Sequence, residues 1–378
     1  VAVCVAKTAR TFCYGFLGIL LPLYLESLGL GAAGIGVAVT LTLAGSALLT
    51  WAVRRPAERL GPRAPLLALA TLSATAALTL LGSTWVPAVV VAAILGNVAV
   101  GTGETGPFLA IEQVVIARAV PAARRTHVLG LYNFLGYGAG AIGAAAVGLV
   151  AAPRALFTIF LAAAALQLVA YARLRARAAP ARRATGGRSS APLIRRFAAL
   201  FALDSFAGGF VLHSLVSYYL YRRYGLDLET LGMIFGIAQI ITAISVLLAA
   251  RVAARYGLLP TMVVTHLVSN VALVAIAGAP SAAVAVGFLF LRQLLSQMDV
   301  PTRQAYVMAA VADHEREAAA SLTNLSRTVA QAVTPALTGW VMQTVALSAP
   351  FVLGGALKIV YDVLIWLAFR HVKLREDA

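Results

Sequence analysis

The sequence predicts an all-α integral membrane protein with twelve transmembrane helices in two pseudo-symmetric six-helix bundles. Three observations lead there. The chain of 378 residues is 61% hydrophobic and 12% charged, whereas a soluble domain carries about 25% charged residues. Its apolar residues fall into twelve runs of spanning length, about 20 residues each. Its two halves repeat one another at a fixed offset.

The runs lie near 3–26, 34–53, 64–82, 86–117, 127–150, 155–172, 194–221, 230–250, 259–279, 281–311, 318–345 and 349–369. Short junctions rich in Gly, Pro or charge separate them, among them Leu28-Gly29-Leu30-Gly31, 82–86, 151–154, 278–281 and Ser348-Ala349-Pro350. One junction is long and polar. Residues 173–196, with the core APARRATGGRSSAP, form a basic linker between an N-terminal bundle at 1–172 and a C-terminal bundle at 197–378. Cys4 and Cys13 both lie in the first run and read as packing residues, with no disulfide framework or metal site. The chain opens directly in an apolar stretch, which suggests that a short leader precedes it, and no cleavable signal pattern is visible.

Basic loops predict the orientation. Arg54, Arg55, Arg59 and Arg63 follow the second run, Arg118, Arg124 and Arg125 the fourth, and Arg251 and Arg255 the eighth. The central linker holds eight arginines, and Arg370, Lys373 and Arg375 follow the twelfth run. By the positive-inside rule both termini and the linker are cytoplasmic, in a bacterial-type plasma membrane. The formal charge of +16 is thus loop topology and not a nucleic-acid surface.

The internal repeat rests on five positions. Gly29, Gly36, Arg55, Arg59 and Gly61 recur as Gly225, Gly232, Arg251, Arg255 and Gly257, each 196 residues on. RPAERLG and RVAARYG therefore occupy the same place, the cytoplasmic turn after the second helix of each half. Parallel six-helix repeats place a binding site between the halves.

These features together resemble the major facilitator superfamily over the whole chain. The Arg/Gly turn resembles the family's G-x-x-x-D-R-x-G-R-[RK] loop, with Arg55, Glu58, Arg59, Gly61 and Arg63 matching its later part and Glu58 in place of Asp. The resemblance implies a gate held by Arg55, Glu58, Arg59, Arg251 and Arg255. It departs from the drug/proton antiporter pattern: the fourth helix lacks R-x-x-Q-G, and the fifth, YNFLGYGAGAIGAAAVG, lacks the G-P pair.

Charges within the runs mark candidate sites, because ionised groups in a bilayer are costly and normally face an interior or a water-filled cavity. They are Arg10 (first run), Glu104 and Glu112 (fourth), Asp204 (seventh), Arg292, Asp299 and Arg303 (tenth), Arg327 (eleventh), and Lys358 and Asp362 (twelfth). Runs one, four, seven and ten are those the resemblance places around the central cavity. In GTGETGPFLAIEQ, Asn97, Gly101, Glu104, Phe108 and Glu112 share one flank at helical spacing, and Pro107 predicts a kink between the acids. The alternative is an interhelical hydrogen-bonding set. Arg292, Ser296, Asp299, Arg303 and Tyr306 share a face, with Asp299 and Arg303 spaced to pair, as a static ion pair or a gate.

Asn324, Arg327, Gln331 and Thr338 line one face of the eleventh run, to bind substrate or satisfy Glu112 or Asp299. Arg10, with Tyr14 and Tyr24, suits a substrate anion or an acid of the fourth run; the alternative is a snorkelling side chain. Lys358 and Asp362, i,i+4 in a helix the family keeps peripheral, read as an internal pair. His213 and His266 read as satisfied core groups.

Neither H-E-x-x-H, G-x-S-x-G nor G-x-x-x-x-G-K-[ST] occurs, so the expectation is a transporter and not an enzyme, powered by a gradient and requiring no cofactor. The expected partners are a small-molecule substrate, protons and the lipid bilayer, without nucleic acid, and a monomer suffices. The leading reading is proton-coupled export by antiport of small organic compounds, by alternating access. Glu104, Glu112, Asp204 and Asp299 would carry the proton. Arg10, Tyr14, Asn97, Phe108, Arg292, Arg303, Tyr306, Asn324, Arg327 and Gln331 would line the substrate cavity. The alternatives are uptake of an organic anion on the arginines and a lipid or lysolipid flippase; a receptor or membrane enzyme is the remote one.

Overall fold

The computed structural model describes residues 1–98, 106–120, 122–150, 152–174, 191–311 and 316–371. Within its helices the side chains of 54, 58, 117–118, 122–127, 129–130, 149, 308, 316–318 and 320–321 stand outside that description. The described residues form fifteen helices and no strand: α1 (Ala2–Ser27), α2 (Ala32–Leu60), α3 (Arg63–Gly82), α4 (Val86–Leu95), α5 (Pro107–Ala119), α6 (Ala122–Leu149), α7 (Pro153–Ala172), α8 (Ala191–Gly209), α9 (His213–Tyr224), α10 (Leu228–Tyr256), α11 (Leu258–Ala277), α12 (Ala282–Ser296), α13 (Asp299–Ala310), α14 (Arg316–Thr344) and α15 (Ala349–Phe369). Each of the twelve apolar runs contains helix among its described residues. Fifteen becomes twelve because the fourth, seventh and tenth spans are each made of two helices, α4/α5, α8/α9 and α12/α13.

The three interruptions have local causes. Before α5, Asn97 takes a left-handed φ of 48° and Gly106 a φ of 120°, and Pro107 starts the new helix at a position where its missing N–H costs nothing. Between α12 and α13, Pro301 has no N–H to offer and its ring opposes the carbonyl four residues back, at Gln297, where α12 is capped. The α8/α9 break has no proline. It follows Gly208 and Gly209, where the chain tightens through Phe210 N–H to Ala207 and Val211 N–H to Gly208 before Leu212 becomes extended.

The repeat read from sequence is a repeat of structure. Adding 196 to α2 (32–60) gives 228–256, the bounds of α10, and adding it to α3 (63–82) gives 259–278, within one residue of α11. Gly29 and Gly225 have φ of 94° and 66°, and Gly61 and Gly257 have φ of 82° and 87°. These left-handed turns favour glycine. The RPAERL and RVAARY segments form the last turns of α2 and α10 and not loops beyond them, with Arg55, Arg59, Arg251 and Arg255 exposed. The side chain of Glu58 lies outside the described residues.

The chain divides into two compact units, Val1–Ala181 with Leu212–Ile240, and Arg182–Val211 with Ile241–Ala378. One division coincides with the α8/α9 break and the other falls within α10. α8 begins at Ala191, inside the stretch read as linker.

In the first unit α1 packs closely on α6. A Cβ at Gly143 would lie 1.8 Å from the Phe12 carbonyl oxygen, and one at Gly15 would lie 2.1 Å from that of Gly140. Such backbone contact is how helices associate where lipid offers no hydrophobic drive. The core between α1, α3, α5, α6 and α7 gathers Leu66, Leu69, Phe108, Tyr132 and Tyr171. In the second unit Phe197, Phe201, Tyr306, Tyr361, Ile365 and Phe369 form the counterpart core.

Candidate functional site

Each unit buries one ionic cluster, and their constructions differ. In the first unit Glu112 on α5 meets Arg10 on α1: Nη2 lies 2.6 Å from Oε2, and Nη1 lies 3.4 Å from Oε1. The Tyr132 hydroxyl on α6 donates to Oε2 at 2.5 Å, and that of Tyr171 on α7 donates to Oε1 at 2.6 Å. Arg10 Nη1 also donates to the Tyr171 oxygen at 2.8 Å, and its guanidinium lies 4.3 Å from the centre of the Phe108 ring. Phe108 in turn stacks on Tyr171. Arg10 and Glu112 are 1% and 0% exposed. Three other helices thus hold the α5 carboxylate, and each of its oxygens is met by one tyrosine hydroxyl and one guanidinium nitrogen. Charge-assisted bonds of this kind are about twice as strong as neutral ones.

Near that set, Asn97 Nδ2 approaches the Tyr14 hydroxyl at 3.4 Å, while the buried Asn97 Oδ1 has no hydrogen-bond partner among the described residues. Glu104, the second acid of the motif, lies outside the described residues. Arg10, Tyr14, Asn97, Phe108 and Glu112 therefore come into one buried region of the first unit. Tyr132 and Tyr171 were missed, since a lone tyrosine on an apolar helix carries no local sign of its partner.

In the second unit Asp204 on α8 is the hub. Its Oδ1 accepts from Lys358 Nζ on α15 at 2.5 Å, and Arg303 Nη1 on α13 lies 3.1 Å from Oδ2. Arg303 Nη1 also lies 2.7 Å from Asp299 Oδ2, the i,i+4 contact the spacing predicts. On α11, His266 Nδ1 lies 2.7 Å from Asp362 Oδ1, and Asn270 Nδ2 donates to Asp362 Oδ2 at 2.8 Å. His266 Nε2 faces Asp204 Oδ1 at 3.6 Å. One continuous cluster therefore runs from Asp299 through Arg303, Asp204 and His266 to Asp362.

Two guanidiniums stand beside it without a carboxylate within ion-pair distance among the described residues. Arg327 on α14 donates through Nε to Ser205, at 2.9 Å, and Arg292 on α12 through Nη1 to Gln293, at 2.7 Å. Gln331 lies one turn beyond Arg327, close to Gly208.

Several expectations need correction. Lys358 and Asp362 do not pair with each other: Lys358 reaches across to α8, and Asp362 turns to His266 and Asn270. Helix spacing permits an i,i+4 pair but does not decide it against a longer-range partner. Tyr306 does not share the Arg303 cluster. It packs between Phe197 and Phe369, and its hydroxyl donates to the Phe369 carbonyl at 3.1 Å. The expectation for Asn324 is not among these corrections; its side chain is exposed. His266 is satisfied, as expected of a core histidine, yet its partner is a carboxylate.

Comparison with known proteins places this architecture. A profile of the Major Facilitator Superfamily matches residues 3–296 and 197–377. An uncharacterised membrane protein of Saccharomyces cerevisiae is 22% identical over 412 residues, covering 96% of this chain and 92% of the yeast protein. Among solved structures, the nucleoside transporter NupG superposes with a TM-score of 0.79 at 13% identity, covering 97% of this chain and 99% of NupG. The xylose transporter XylE of E. coli gives 0.76 at 14%, covering 99% and 97%. The human organic anion transporter MFSD10 gives 0.65 at 17%, covering 96% and 98%. At such identities these likenesses speak to the fold, and it is the twelve-span fold read above. The chain belongs to the Major Facilitator Superfamily and is a membrane transporter.

Proposed function

We propose that this transporter is a secondary active carrier of a small organic solute, coupled to protons and working by alternating access, with the coupling acids in the second unit. The observation that carries this reading is the Asp204 hub: a buried carboxylate contacted by cations on two other helices and faced by an imidazole on a third. Buried acids and bases that trade partners mark proton paths in membrane carriers. Glu112 offers less freedom, because Arg10, Tyr132 and Tyr171 occupy both of its oxygens. Export by antiport is the direction we propose, since a neutral or cationic solute reaching Asp204 or Asp299 competes with a proton for the same oxygens. We place the chain in a plasma membrane with both termini cytoplasmic, functioning as a monomer. The exposed arginines ending α2 and α10 are the gating groups of this scheme.

A second reading, transport of an organic anion, is favoured by Arg292 and Arg327, whose contacts are neutral groups. Electrical recordings from proteoliposomes challenged with cationic drugs and with organic acids separate the two. Cation-evoked, pH-dependent currents lost in Asp204→Asn support antiport. Currents evoked only by acids, surviving Asp204→Asn and lost in Arg327→Ala, replace it with the anion reading.

A further inference from the structure

His266 sits where two carboxylates and one ammonium converge. It lies on α11, which packs against α12, α13 and α15, and is 4% exposed. Its Nδ1 is in hydrogen-bond contact with Asp362, whose other oxygen is held by Asn270, and the Tyr361 ring meets the imidazole edge-on at 5.7 Å. Its Nε2 points at Asp204 Oδ1 from 3.6 Å, too long for a hydrogen bond but within ion-pair range. That oxygen is the one Lys358 occupies.

Charge counting shows why this matters. The cluster holds three carboxylates and two permanent cations: Lys358 contacts Asp204, Arg303 contacts Asp204 and Asp299, and Asp362 is met by His266 and Asn270 in place of a permanent cation. Among these contacting groups an imidazolium at 266 supplies the missing positive charge. Around them, α14 carries Arg327 on Ser205 and α12 carries Arg292 on Gln293. With these two outlying guanidiniums counted, permanent cations exceed carboxylates by one when the imidazole is neutral.

We propose that His266 is the proton-carrying group of the second unit, and that its protonation exchanges Lys358 for His266 on Asp204. The proposal rests on the proton-coupled reading above and names a group within it. In the neutral state Nδ1–H donates to Asp362, and Nε2 presents a lone pair towards an oxygen held by Lys358. A proton delivered by hydronium onto Nε2, leaving water, makes an N–H that closes on Asp204 Oδ1, and Lys358 withdraws. No other bond changes. Lys358 packs beside Gly208 and Gln331: a Cβ placed on Gly208 would lie at ordinary contact distance from both, 3.7 Å from Lys358 Nζ and 3.9 Å from Gln331 Nε2. Gln331 stands one turn from Arg327, which ties the proton to the α14 face.

The test uses the full chain with 15N-labelled histidine. Imidazole signals are followed in detergent between about pH 5 and pH 8, the range in which histidine ordinarily titrates. The expected result is one imidazole passing from neutral to doubly protonated, absent in His266→Gln and displaced in Lys358→Met. Should Lys358→Met not fold, the size-conserving Asp362→Asn is the second variant and displaces the same signal. A His266 signal that stays in one state across the range, or ignores both variants, overturns the proposal.

Vesicles loaded with a pH-sensitive dye and challenged with a lipophilic cation and an aromatic carboxylate supply the second arm. Solute-driven proton movement present in wild type and lost in folded His266→Gln supports the proposal. Movement of equal size in both overturns it and leaves proton coupling intact. The absence of any solute-driven proton movement in wild type removes the proton-coupled reading, and this proposal with it.

Discussion

The two units solve the same physical problem differently. Each buries carboxylate and cation where charge is costly. In the first, one acid and one arginine are locked by two tyrosine hydroxyls, and every oxygen is taken. In the second, two acids share two contacting cations, a third acid meets an imidazole, and among the described residues Asp299 Oδ1 has no hydrogen-bond partner. A saturated pair holds helices together; an under-filled cluster has alternative pairings close to hand. The proposed function accordingly takes the first site as scaffolding and the second as the working one.

The contrast is broken most severely at Glu112. Glu112→Ala strands Arg10 among buried groups and is expected to cost about 3–5 kcal/mol, the usual consequence of removing one member of a buried pair. Thermal unfolding of the purified chain measures it. Arg10→Met combined with Glu112→Leu is expected to restore most of that loss; if the double variant is as unstable as the single one, Glu112 does more than neutralise Arg10.

In the second unit the matching change is smaller. Lys358→Met leaves Asp204 with Arg303 still 3.1 Å away, so the same unfolding measurement is expected to show about 1.5–3 kcal/mol, the worth of one charge-assisted bond. Equal losses at Glu112 and Lys358 would erase the distinction between the two sites.

Packing sharpens the comparison. Gly143→Ala drives a methyl into the Phe12 carbonyl, 1.8 Å away, and is expected to cost about 1–3 kcal/mol as the α1–α6 contact opens. Gly208→Ala meets nothing nearer than 3.7 Å and is expected to stay within about 0.5 kcal/mol. A Gly208→Ala loss as large as that of Gly143→Ala would mean that the added methyl displaces Lys358 from Asp204.

The smallest effect lies outside the spans. Asp227, before α10, accepts from the Thr230 N–H at 2.8 Å, and these hydrogen bonds to Thr230 hold its carboxyl below the ordinary carboxylate value of 3.8. A lowered folded value means stability that is present above the ordinary value and lost as pH falls through the depressed one. Asp227→Asn is therefore expected to lower the melting temperature slightly at neutral pH, with the gap closing in acid. A gap that persists in acid would show that the effect is not electrostatic.

The spans were legible because their length and apolarity are local properties of the chain. So was the doubling, since Gly61 and Gly257 are the same left-handed cap seen twice. The Asp299–Arg303 contact lies within one helical turn and could be read directly. Arg10 was matched to an acid of the fourth run only as one of several partners. The rest depends on distant chain: Lys358 lies 154 residues from Asp204, and Asp362 lies 96 from His266. Spacing within one helix says which residues share a face, but not which face of which helix lies opposite. For the same reason Tyr132 and Tyr171 were invisible as partners of Glu112, and the local i,i+4 pairing of Lys358 with Asp362 was the natural misreading. The α8/α9 break had only Gly208-Gly209 to announce it, without the proline that marks the other two.

The Arg10–Glu112 pair also bears on how the chain is made. Its members are 102 residues apart, and synthesis at about 5–20 residues per second separates them by roughly 5–20 s. During that interval the first span enters the bilayer with Arg10 unneutralised by the acid that later claims it. An arginine near the middle of a helix disfavours insertion by about 2.5–3.5 kcal/mol on the biological scale. The first span therefore depends on its long apolar stretch, Phe16 to Leu25, to be retained until the fourth arrives. The order in which the two charges emerge adds a cost that the apolar residues of the first span have to offset.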